Sequence, residues 1–424
     1  MNYIEVEGGH PLAGELAVQG SKNAALPMMA AALLTPGPVT LYGCPQIEDV
    51  DVMCQLLSHL GAQVSRRGDQ IQIQAKRLRT RELPKDLVHR MRSSIMLMGP
   101  LLARTGGAEL YFPGGCVIGA RPIDLHLEGL SRLGYQIIEE ADGHLHGFRG
   151  MEPLEDPGVR RIHLRFPSVG ATENILMGAA LSTRPVILSG AAKEPEVCEL
   201  ARMLVQMGVK IEGMGSDQLI IQGARHLRGV TMRVMGDRIV TGTYLVAAAA
   251  TGGHVSLTNV SPLDNGALFT ALEQMGCRLV IHERQQRVEL QAPETLRATE
   301  ICTAPHPGFA TDLQAITMVG MTQAEGVSRM EETIFENRFR HVEALRRMGA
   351  RIQVSGGRAT IYGKTQLKAD ELQATDLRAG AAMIIAALCA QGRSRIYHLE
   401  HVRRGYENIA ADLGALGAVI ITKD

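Results

Sequence analysis

One short pattern occurs six times along this 424-residue chain: Leu-x-x-Leu or Leu-x-x-Met, then Gly, then alternating apolar residues. Leu-x-x-Leu forms one face of a helix, and a Gly directly after it allows the left-handed turn that ends a helix. The pattern therefore predicts a helix, a turn and a strand. The six glycines lie 68 to 74 residues apart, at Gly61, Gly134, Gly208, Gly276, Gly349 and Gly417. This near-constant spacing predicts six structural repeats of about 70 residues.

A second signature precedes the first in most repeats: a helix rich in Ala, Leu and Met, then a short alternating strand. The clearest examples are residues 24–34, 175–181, 244–250 and 379–390. These helices are apolar nearly all round, so we expect them to be buried, with the amphipathic Leu-x-x-Leu helices outside them. Each repeat then reads as βαβα with one or two further strands, which predicts an α/β fold.

A repeat of this size is too small to be a comfortable domain by itself, so the six repeats group as three plus three. We expect two similar α/β domains with a substrate cleft between them. The expected boundaries are residues 22–232 for one domain, and residues 1–21 plus 233–424 for the other. Residues 3–20 lie outside the repeat and are expected to form a strand pair that completes the second domain.

Composition argues against several classes of function. Lys plus Arg and Asp plus Glu both number 44, and aromatic residues make up 4% with no Trp, so neither a basic groove nor a stacking surface for nucleic acid is expected. Seven Cys without a Cys-x-x-Cys pair argue against a disulfide framework or a structural zinc site. There is no His-Glu-x-x-His run, and no apolar run approaches the ~20 residues of a membrane span. We therefore expect a soluble cytoplasmic protein without membrane insertion, resident metal or organic cofactor.

Charged and polar residues collect where the buried helices begin. Positive helix ends together with several cations would make a strong anion site, although each residue alone is more often a cap or a solvated charge. The residues concerned are Lys22, Asn23, Arg92, Phe166 to Gly170, Asp237, Arg238, Asp312, Asp376 and Arg378. Residues 113–124 form a Gly- and Pro-rich loop carrying Cys116 and Arg121. That loop is either a lid over an anionic substrate or a surface turn with an incidental Cys.

Five motifs stand out, at residues 21–27, 113–116 with 119–122, 304–307 with 311–312, 335–339 and 404–407. Together they resemble the UDP-N-acetylglucosamine 1-carboxyvinyltransferase family of enolpyruvyl transferases. The resemblance covers essentially the whole chain. It implies the family's fold, an inside-out α/β barrel of two domains with three repeats each.

The resemblance also implies roles for individual residues. Cys116, Asp312 and Arg404 would be catalytic: Cys116 as proton donor to the enolpyruvate and as the target of the epoxide antibiotic fosfomycin, and Asp312 as acceptor of the hydroxyl proton. Lys22, Asn23, Arg121 and Arg404 would contact phosphoenolpyruvate. Asp376 and Arg378 would lie near the reacting centre. The nucleotide-sugar site would include Arg92, Arg121, Pro122, Ile123, Asp124, Leu125, Phe166, Pro167, Ser168, Val169, Gly170, Asp312 and Ile334, and Arg338, Asp376 and Arg378 would also bind substrate.

The implied reaction transfers the enolpyruvyl group of phosphoenolpyruvate to the 3-hydroxyl of UDP-N-acetylglucosamine and releases phosphate. This is the first committed step of peptidoglycan synthesis, on which cell shape and division depend. Its partners would be those two small molecules. Two departures from the family pattern are Phe166, where many relatives carry Lys, and Arg403, where Asp is usual. The alternatives are 3-phosphoshikimate 1-carboxyvinyltransferase on the same scaffold, and a non-catalytic paralogue that binds nucleotide sugar.

Overall fold

The computed structural model describes residues 3–114, 122–150 and 158–423. Cys116 and Arg121, two of the residues singled out above, lie outside these ranges. Within the described residues, none of the helices has the length and apolar character needed to cross a membrane.

Helices and strands alternate along most of the chain, as the repeated pattern predicts. The helices are α1 Lys22–Ala31, α2 Glu48–His59, α3 Lys85–Arg90, α4 Met98–Thr105, α5 Asp124–Arg132, α6 Val169–Ala179, α7 Pro195–Met207, α8 Arg238–Thr251, α9 Gly266–Gln274, α10 Gln314–Thr322, α11 Val342–Arg347, α12 Leu377–Cys389, α13 Glu400–Arg403 and α14 Ile409–Ala415. Short 3₁₀ turns cover Ala32–Leu34, Arg92–Leu97, Pro262–Asn265, Glu283–Gln285 and Thr311–Leu313.

The strands are short. They are β1 Tyr3–Glu7, β2 Ala13–Ala17, β3 Pro38–Tyr42, β4 Gln63–Arg67, β5 Gln70–Gln74, β6 Gly107–Tyr111, β7 Tyr135–Glu139, β8 His144–Arg149, β9 Arg160–His163, β10 Val186–Ser189, β11 Lys210–Glu212, β12 Gln218–Gln222, β13 Thr231–Arg233, β14 His254–Thr258, β15 Arg278–His282, β16 Arg287–Gln291, β17 Leu296–Arg297, β18 Glu300–Cys302, β19 Ala324–Glu331, β20 Arg351–Ser355, β21 Arg358–Gly363, β22 Glu371–Gln373, β23 Arg393–Tyr397 and β24 Val419–Lys423.

The described residues divide into two compact units. The inserted unit consists of residues 20–114, 122–150 and 158–235. The flanking unit consists of residues 3–19 and 236–423, the stretches that precede and follow the inserted unit in sequence. Each unit has its own cluster of buried apolar side chains.

The inserted unit contains three sheets, with strand orders β13-β3-β5-β4, β6-β8-β7 and β11-β12-β10-β9. Two of these sheets have one parallel pair, β13 with β3 and β9 with β10, and the other pairs are antiparallel. Helices α1 and α6 are buried along nearly their whole length and belong to the core. The burial predicted from their Ala- and Met-rich composition is confirmed.

The flanking unit also contains three sheets. Their strand orders are β15-β16-β14-β2, β17-β19-β21-β20 with β18 pairing to β19, and β22-β23-β1-β24. Helices α8, α10 and α12 are buried almost completely. All described sheets of both units are open, because no pairing joins their two edge strands.

The amino-terminal strands differ from the sequence expectation. Both predicted strands exist, but β1 pairs with β23 and β24, whereas β2 pairs with β14. They therefore join two different sheets of the flanking unit and do not form a pair with each other. The turn pattern is confirmed, because all six repeated glycines have positive φ, between 92° and 122°. L-residues with a Cβ rarely adopt this conformation.

Candidate active site

The carboxylate of Asp312 lies between two arginine side chains of the flanking unit. Asp312 sits in the 3₁₀ turn that leads into α10, and Arg378 is the second residue of α12. One Asp312 oxygen, Oδ1, is 2.5 Å from Nη2 of Arg338, and the other, Oδ2, is 2.9 Å from Nη2 of Arg378. The arginine side chains are 5% and 6% exposed, whereas that of Asp312 is 32% exposed. The carboxylate of Asp312 is therefore accessible to a ligand, while the two buried arginine side chains fix its orientation.

The loop after β19 is held by a buried glutamate. Glu332 accepts hydrogen bonds from the hydroxyl of Thr311 at 2.9 Å and from the backbone amides of Ile334 and Phe335 at 2.8 and 3.1 Å. Glu332 is 7% exposed, although two adjacent glutamates, as at Glu331 and Glu332, are more typical of a solvated face. The physical reason is that its bonds satisfy the carboxylate inside the protein. This fixes the backbone at Ile334, one of the expected substrate-binding residues.

Arg378 also contacts Tyr406, which follows the Arg404–Gly405 step. Its Nη1 is 3.5 Å from the Tyr406 hydroxyl, and that hydroxyl is 2.7 Å from the hydroxyl of Thr243 in α8. Burial is the largest single influence and lowers the pKa of Arg378, but Asp312, Tyr406 and Asp237 together outweigh it, so the pKa stands above its usual value. Arg378 is therefore a permanent cation.

Asp376 has a structural task that its position predicted. Its Oδ1 accepts hydrogen bonds from the backbone amides of Arg378 and Ala379 at 2.9 and 3.0 Å, which caps α12. Because Asp376 lies two residues before Arg378, the cap also fixes the backbone from which the Arg378 side chain extends.

Arg404 is half-buried at the end of α13, beside the exposed Arg403. The following residues are clamped by Gln19, whose side-chain amide donates to the carbonyl of Gly405 at 3.1 Å and accepts from the amide of Glu407 at 2.9 Å. Sequence reasoning missed Gln19, because a lone Gln far away in sequence gives no signal of such a partner.

His341 was also missed. It is 3% exposed, its Nε2 makes no hydrogen bond within the described residues, and burial lowers its pKa to about 4 although Asp376 acts to raise it. His341 follows the 335–339 motif closely, but a His beside a motif is by itself no indication of burial.

Lys22 opens α1 in the inserted unit and forms an ion pair with Asp49 at 2.7 Å. The two side chains are 11% and 2% exposed, so the interpretation of Lys22 as a solvated surface charge is excluded. Ser21 caps the helix by accepting from the amide of Ala24 at 3.3 Å. Asn23, next in the helix, is half-buried.

The expected nucleotide-sugar residues of the inserted unit come together. Asp124, the first residue of α5, forms an ion pair with Arg165, which directly precedes Phe166. Arg92 donates to the carbonyl of Pro122 at 3.3 Å. The structure thus links the segment of Pro122, Ile123, Asp124 and Leu125 to that of Phe166, Pro167, Ser168, Val169 and Gly170, and to Arg92.

The two linked segments differ in exposure. Phe166 is 42% exposed, Ser168 caps α6 by accepting from the amide of Ala171 at 3.3 Å, and Ile123 is buried. At Gly170 a Cβ would lie 3.0 Å from Cε1 of His126, so a larger residue would press on that ring. This surface offers an arginine, a helix start and an exposed ring to a ligand.

Comparisons with known proteins identify relatives that match along nearly the whole chain. The family model described as EPSP synthase (3-phosphoshikimate 1-carboxyvinyltransferase) matches residues 6–413. UDP-N-acetylglucosamine 1-carboxyvinyltransferases from Magnetococcus marinus and Granulibacter bethesdensis are 44% and 43% identical, each over 99% of this chain and 99% of the relative. The crystal structure of the enolpyruvyl transferase NikO from Streptomyces tendae matches with a TM-score of 0.88 at 25% identity, covering 100% of this chain and 99% of that one. Since these matches run along nearly the whole chain, it belongs to the enolpyruvyl transferase family, among the UDP-N-acetylglucosamine 1-carboxyvinyltransferases.

Proposed function

We propose that this chain transfers the enolpyruvyl group of phosphoenolpyruvate to the 3-hydroxyl of UDP-N-acetylglucosamine and releases phosphate. This reaction is the first committed step of peptidoglycan synthesis and so serves cell shape and cell division. The observation that carries the proposal is the 44% identity, over 99% of both chains, to a relative with this activity in its name. The ion pairs of Asp312 with Arg338 and Arg378 also support the proposal, because a catalytic base must be held in one orientation.

The addition step needs one proton removed and one delivered, and the elimination step needs a further proton removed. The sugar hydroxyl attacks C2 of the enol phosphate and loses its proton while C3 gains one; phosphate then leaves as C3 loses a proton. Asp312 accepts the hydroxyl proton, and Arg338 and Arg378 hold its carboxylate in one orientation, which is what a positioned base requires. Asp376 acts indirectly, by capping the helix that carries Arg378.

The other assignments rest on the sequence resemblance. Lys22, Asn23, Arg121 and Arg404 bind phosphoenolpyruvate, whose charge needs several cations. The nucleotide sugar is bound by Arg92, the segment from Arg121 to Leu125, the segment from Phe166 to Gly170, Asp312 and Ile334. Arg338 contributes by holding Asp312. Cys116 donates the proton to C3. Cys116 and Arg121 lie outside the described residues, so their roles stay predictions.

We also propose that the two units are folding domains with boundaries at residues 22–232, and at 1–21 plus 233–424, and that each is built of three repeats in an inside-out α/β barrel. This organisation is supported by the three sheets in each unit and by the positive φ of the six repeated glycines. A cytoplasmic location and the lack of nucleic-acid partners stay predictions.

Phosphate release tests the function. Phosphoenolpyruvate alone should give no sustained phosphate release, and adding UDP-N-acetylglucosamine should start it. Phosphate release only with shikimate 3-phosphate would instead indicate a 3-phosphoshikimate 1-carboxyvinyltransferase, the enzyme named in the description of the matching family model. Binding of nucleotide sugar without phosphate release would indicate a non-catalytic paralogue. Either result would contradict the proposal.

A further inference from the structure

Three ligand-type side chains collect on one face of the β6-β8-β7 sheet in the inserted unit. In the antiparallel pair of β6 and β8, Glu109 lies opposite His146, and Tyr111 lies opposite His144. Directly opposite residues share a face, and so do residues two apart on one strand. Glu109, His144 and His146 therefore point to the same side.

The side chains are close enough to act together. One potential ligand atom from each of Glu109, His144 and His146 lies within 4.8 Å of the other two. The two imidazole rings have centroids 4.1 Å apart, and His144 stacks on Tyr111 with centroids 4.5 Å apart. Tyr111 thus supports one ligand ring from the side.

One of the imidazole nitrogens lacks a hydrogen bond. Nε2 of His144 is buried and makes no hydrogen bond within the described residues. A buried nitrogen without a partner is unfavourable, and a bound ion would satisfy it.

The charges near the cluster nearly balance before an ion arrives. Oε1 of Glu140 is 3.1 Å from Nε2 of His146, and Nε of Arg81 is 3.5 Å from Oε1 of Glu109. The second carboxylate offsets the guanidinium. All three candidate ligands are half-buried, so an ion from solvent can reach them.

We propose that Glu109, His144 and His146 bind a divalent transition-metal ion, with Zn²⁺ the best match. Two imidazoles and a carboxylate are a usual ligand set for Zn²⁺, and Mg²⁺ or Ca²⁺ would favour oxygen ligands. Ligand atoms of a tetrahedral zinc site lie roughly 3.3 Å apart, so small side-chain rotations close the cluster around the ion. The expectation of no metal site rested on linear motifs, which do not reveal ligands supplied by two paired strands.

A bound ion would cross-link β6 to β8. Strand β6 continues into Phe112, whose amide donates to the carbonyl of Gly143 at 2.7 Å, and then into Gly114. The ion therefore stabilises the strand pair from which the 115–121 segment departs. This role is separate from the transferase reaction, for which no metal is invoked.

The test uses the full chain, treated with a chelator and then titrated with Zn²⁺ by calorimetry. One ion per chain should bind with an affinity that His144→Gln, His146→Gln and Glu109→Gln each weaken at least about tenfold. Co²⁺ should give visible absorption bands typical of tetrahedral nitrogen and oxygen ligands. At an ion concentration about a hundredfold above Kd, the Tm of the inserted unit should rise by roughly 5–10 °C.

The matched control is His282→Gln in the flanking unit. His282 is 3.3 Å from Glu289. The substitution therefore removes a His–Glu pair from a strand outside the proposed cluster, and Zn²⁺ binding should be unchanged. Cys302→Ser, which removes an exposed thiol, should also leave it unchanged. Far-UV circular dichroism checks that each variant is folded. Absence of Zn²⁺ binding to the folded native chain, or binding that persists in folded His144→Gln/His146→Gln, would overturn the proposal.

Discussion

Two buried guanidinium groups on one partly exposed carboxylate make Asp312 difficult to replace. Arg338 also donates to the carbonyl of Thr311 at 3.3 Å, so the residue before Asp312 is held by the same side chain. Loss of the carboxylate charge would leave both arginines without the anion that compensates them. A substitution at Asp312 should therefore affect stability as well as chemistry.

Asp312→Asn keeps the shape but removes the charge and the proton acceptor. We expect kcat for phosphate release to fall by about 10²- to 10⁴-fold, since a positioned base contributes on that scale. The free energy of unfolding should fall by roughly 1–3 kcal/mol, less than for a fully buried pair because Asp312 is partly solvated.

The control is Asp370→Asn in the same unit. Asp370 is 30% exposed and pairs at 3.0 Å with Arg347, whose side chain is 49% exposed, so its loss should cost no more than about 1 kcal/mol and leave kcat unchanged. Equal turnover in Asp312→Asn and the native chain would remove the role assigned to Asp312.

His341 makes the stability of the flanking unit depend on pH. Its pKa is about 4 in the folded protein, mainly through burial, and about 6.5 in the unfolded chain. Between these values the unfolded chain binds more protons, so stability is lost as pH falls from about 6.5 to 4, by up to roughly 3 kcal/mol. Urea unfolding at a series of pH values should show this slope.

In His341→Gln the slope between pH 6.5 and 4 should become smaller, whatever the variant's stability at neutral pH. His59→Gln, at an exposed position of α2, should keep the native slope. If His341→Gln and the native chain lose stability in parallel over this range, another group is responsible.

At the scale of elements, the residues at the start of several helices both cap the helix and position a functional side chain. Helices α1, α6, α8 and α12 are each capped by a side chain, namely Ser21, Ser168, Asp237 and Asp376. Three of these caps lie one or two residues before a residue that is proposed either to bind substrate, as for Lys22 and Val169, or to orient Asp312, as for Arg378. The local bonds that begin a helix therefore also place a functional side chain.

Two substitutions at Asp376 separate these tasks. Asp376→Ala removes the cap of α12 and should cost about 1–2 kcal/mol of stability, whereas Asp376→Asn keeps an oxygen for the cap and should cost less than half as much. If the carboxylate charge matters near the reacting centre, Asn should lower kcat while remaining stable. Urea unfolding and phosphate release measure the two effects.

Asn408→Ala is the control for the cap. Asn408 caps α14 by accepting from the amide of Ala411 at 3.1 Å, and its loss should lower stability without lowering kcat. Equal stability of the Ala and Asn variants of Asp376 would show that its hydrogen bonds to the helix contribute little.

The repeated pattern was sufficient to predict the helix, turn and strand around each of the six glycines, because these depend on nearby residues. Gly61 and its counterparts end helices by local sterics, and the buried helices are recognisable from composition alone. Long-range partners were not predictable in this way. Asp49 pairs with the buried charge of Lys22, and Gln19 forms hydrogen bonds to the loop at Gly405. Both contacts join residues that lie far apart in sequence and meet only in the folded chain. Glu332 and His341 were missed for the same reason: their burial depends on which elements pack over them.

At the scale of the whole molecule, the flanking unit depends on strand β1. Ile4 and Val6 of this strand are 2% and 0% exposed, and the strand pairs on both sides, with β23 and β24. Deleting residues 1–8 should remove about 3–6 kcal/mol from apolar burial, before the lost backbone hydrogen bonds are counted. The flanking unit should then unfold.

Hydrogen exchange followed by mass spectrometry checks this deletion. Amides of α12 should exchange rapidly, while those of α6 in the inserted unit stay protected. Glu7→Gln is the control, because it removes only exposed contacts, with Arg393 at 2.9 Å and with His10 at 3.8 Å, and should leave both helices protected. Protection of α12 in the deletion variant would show that β1 is dispensable.

The pairing of β1 with β23 and β24 also sets an order for folding during synthesis on the ribosome. Glu7 and its partner Arg393 are separated by 386 residues, which take roughly 20–75 s to translate. All residues of the inserted unit are made within that interval, so it can fold while translation continues. Strand β1 is made before the inserted unit but can pair only after β23 and β24 are made, and its apolar Ile4 and Val6 must meanwhile be shielded by the nascent chain or by a chaperone.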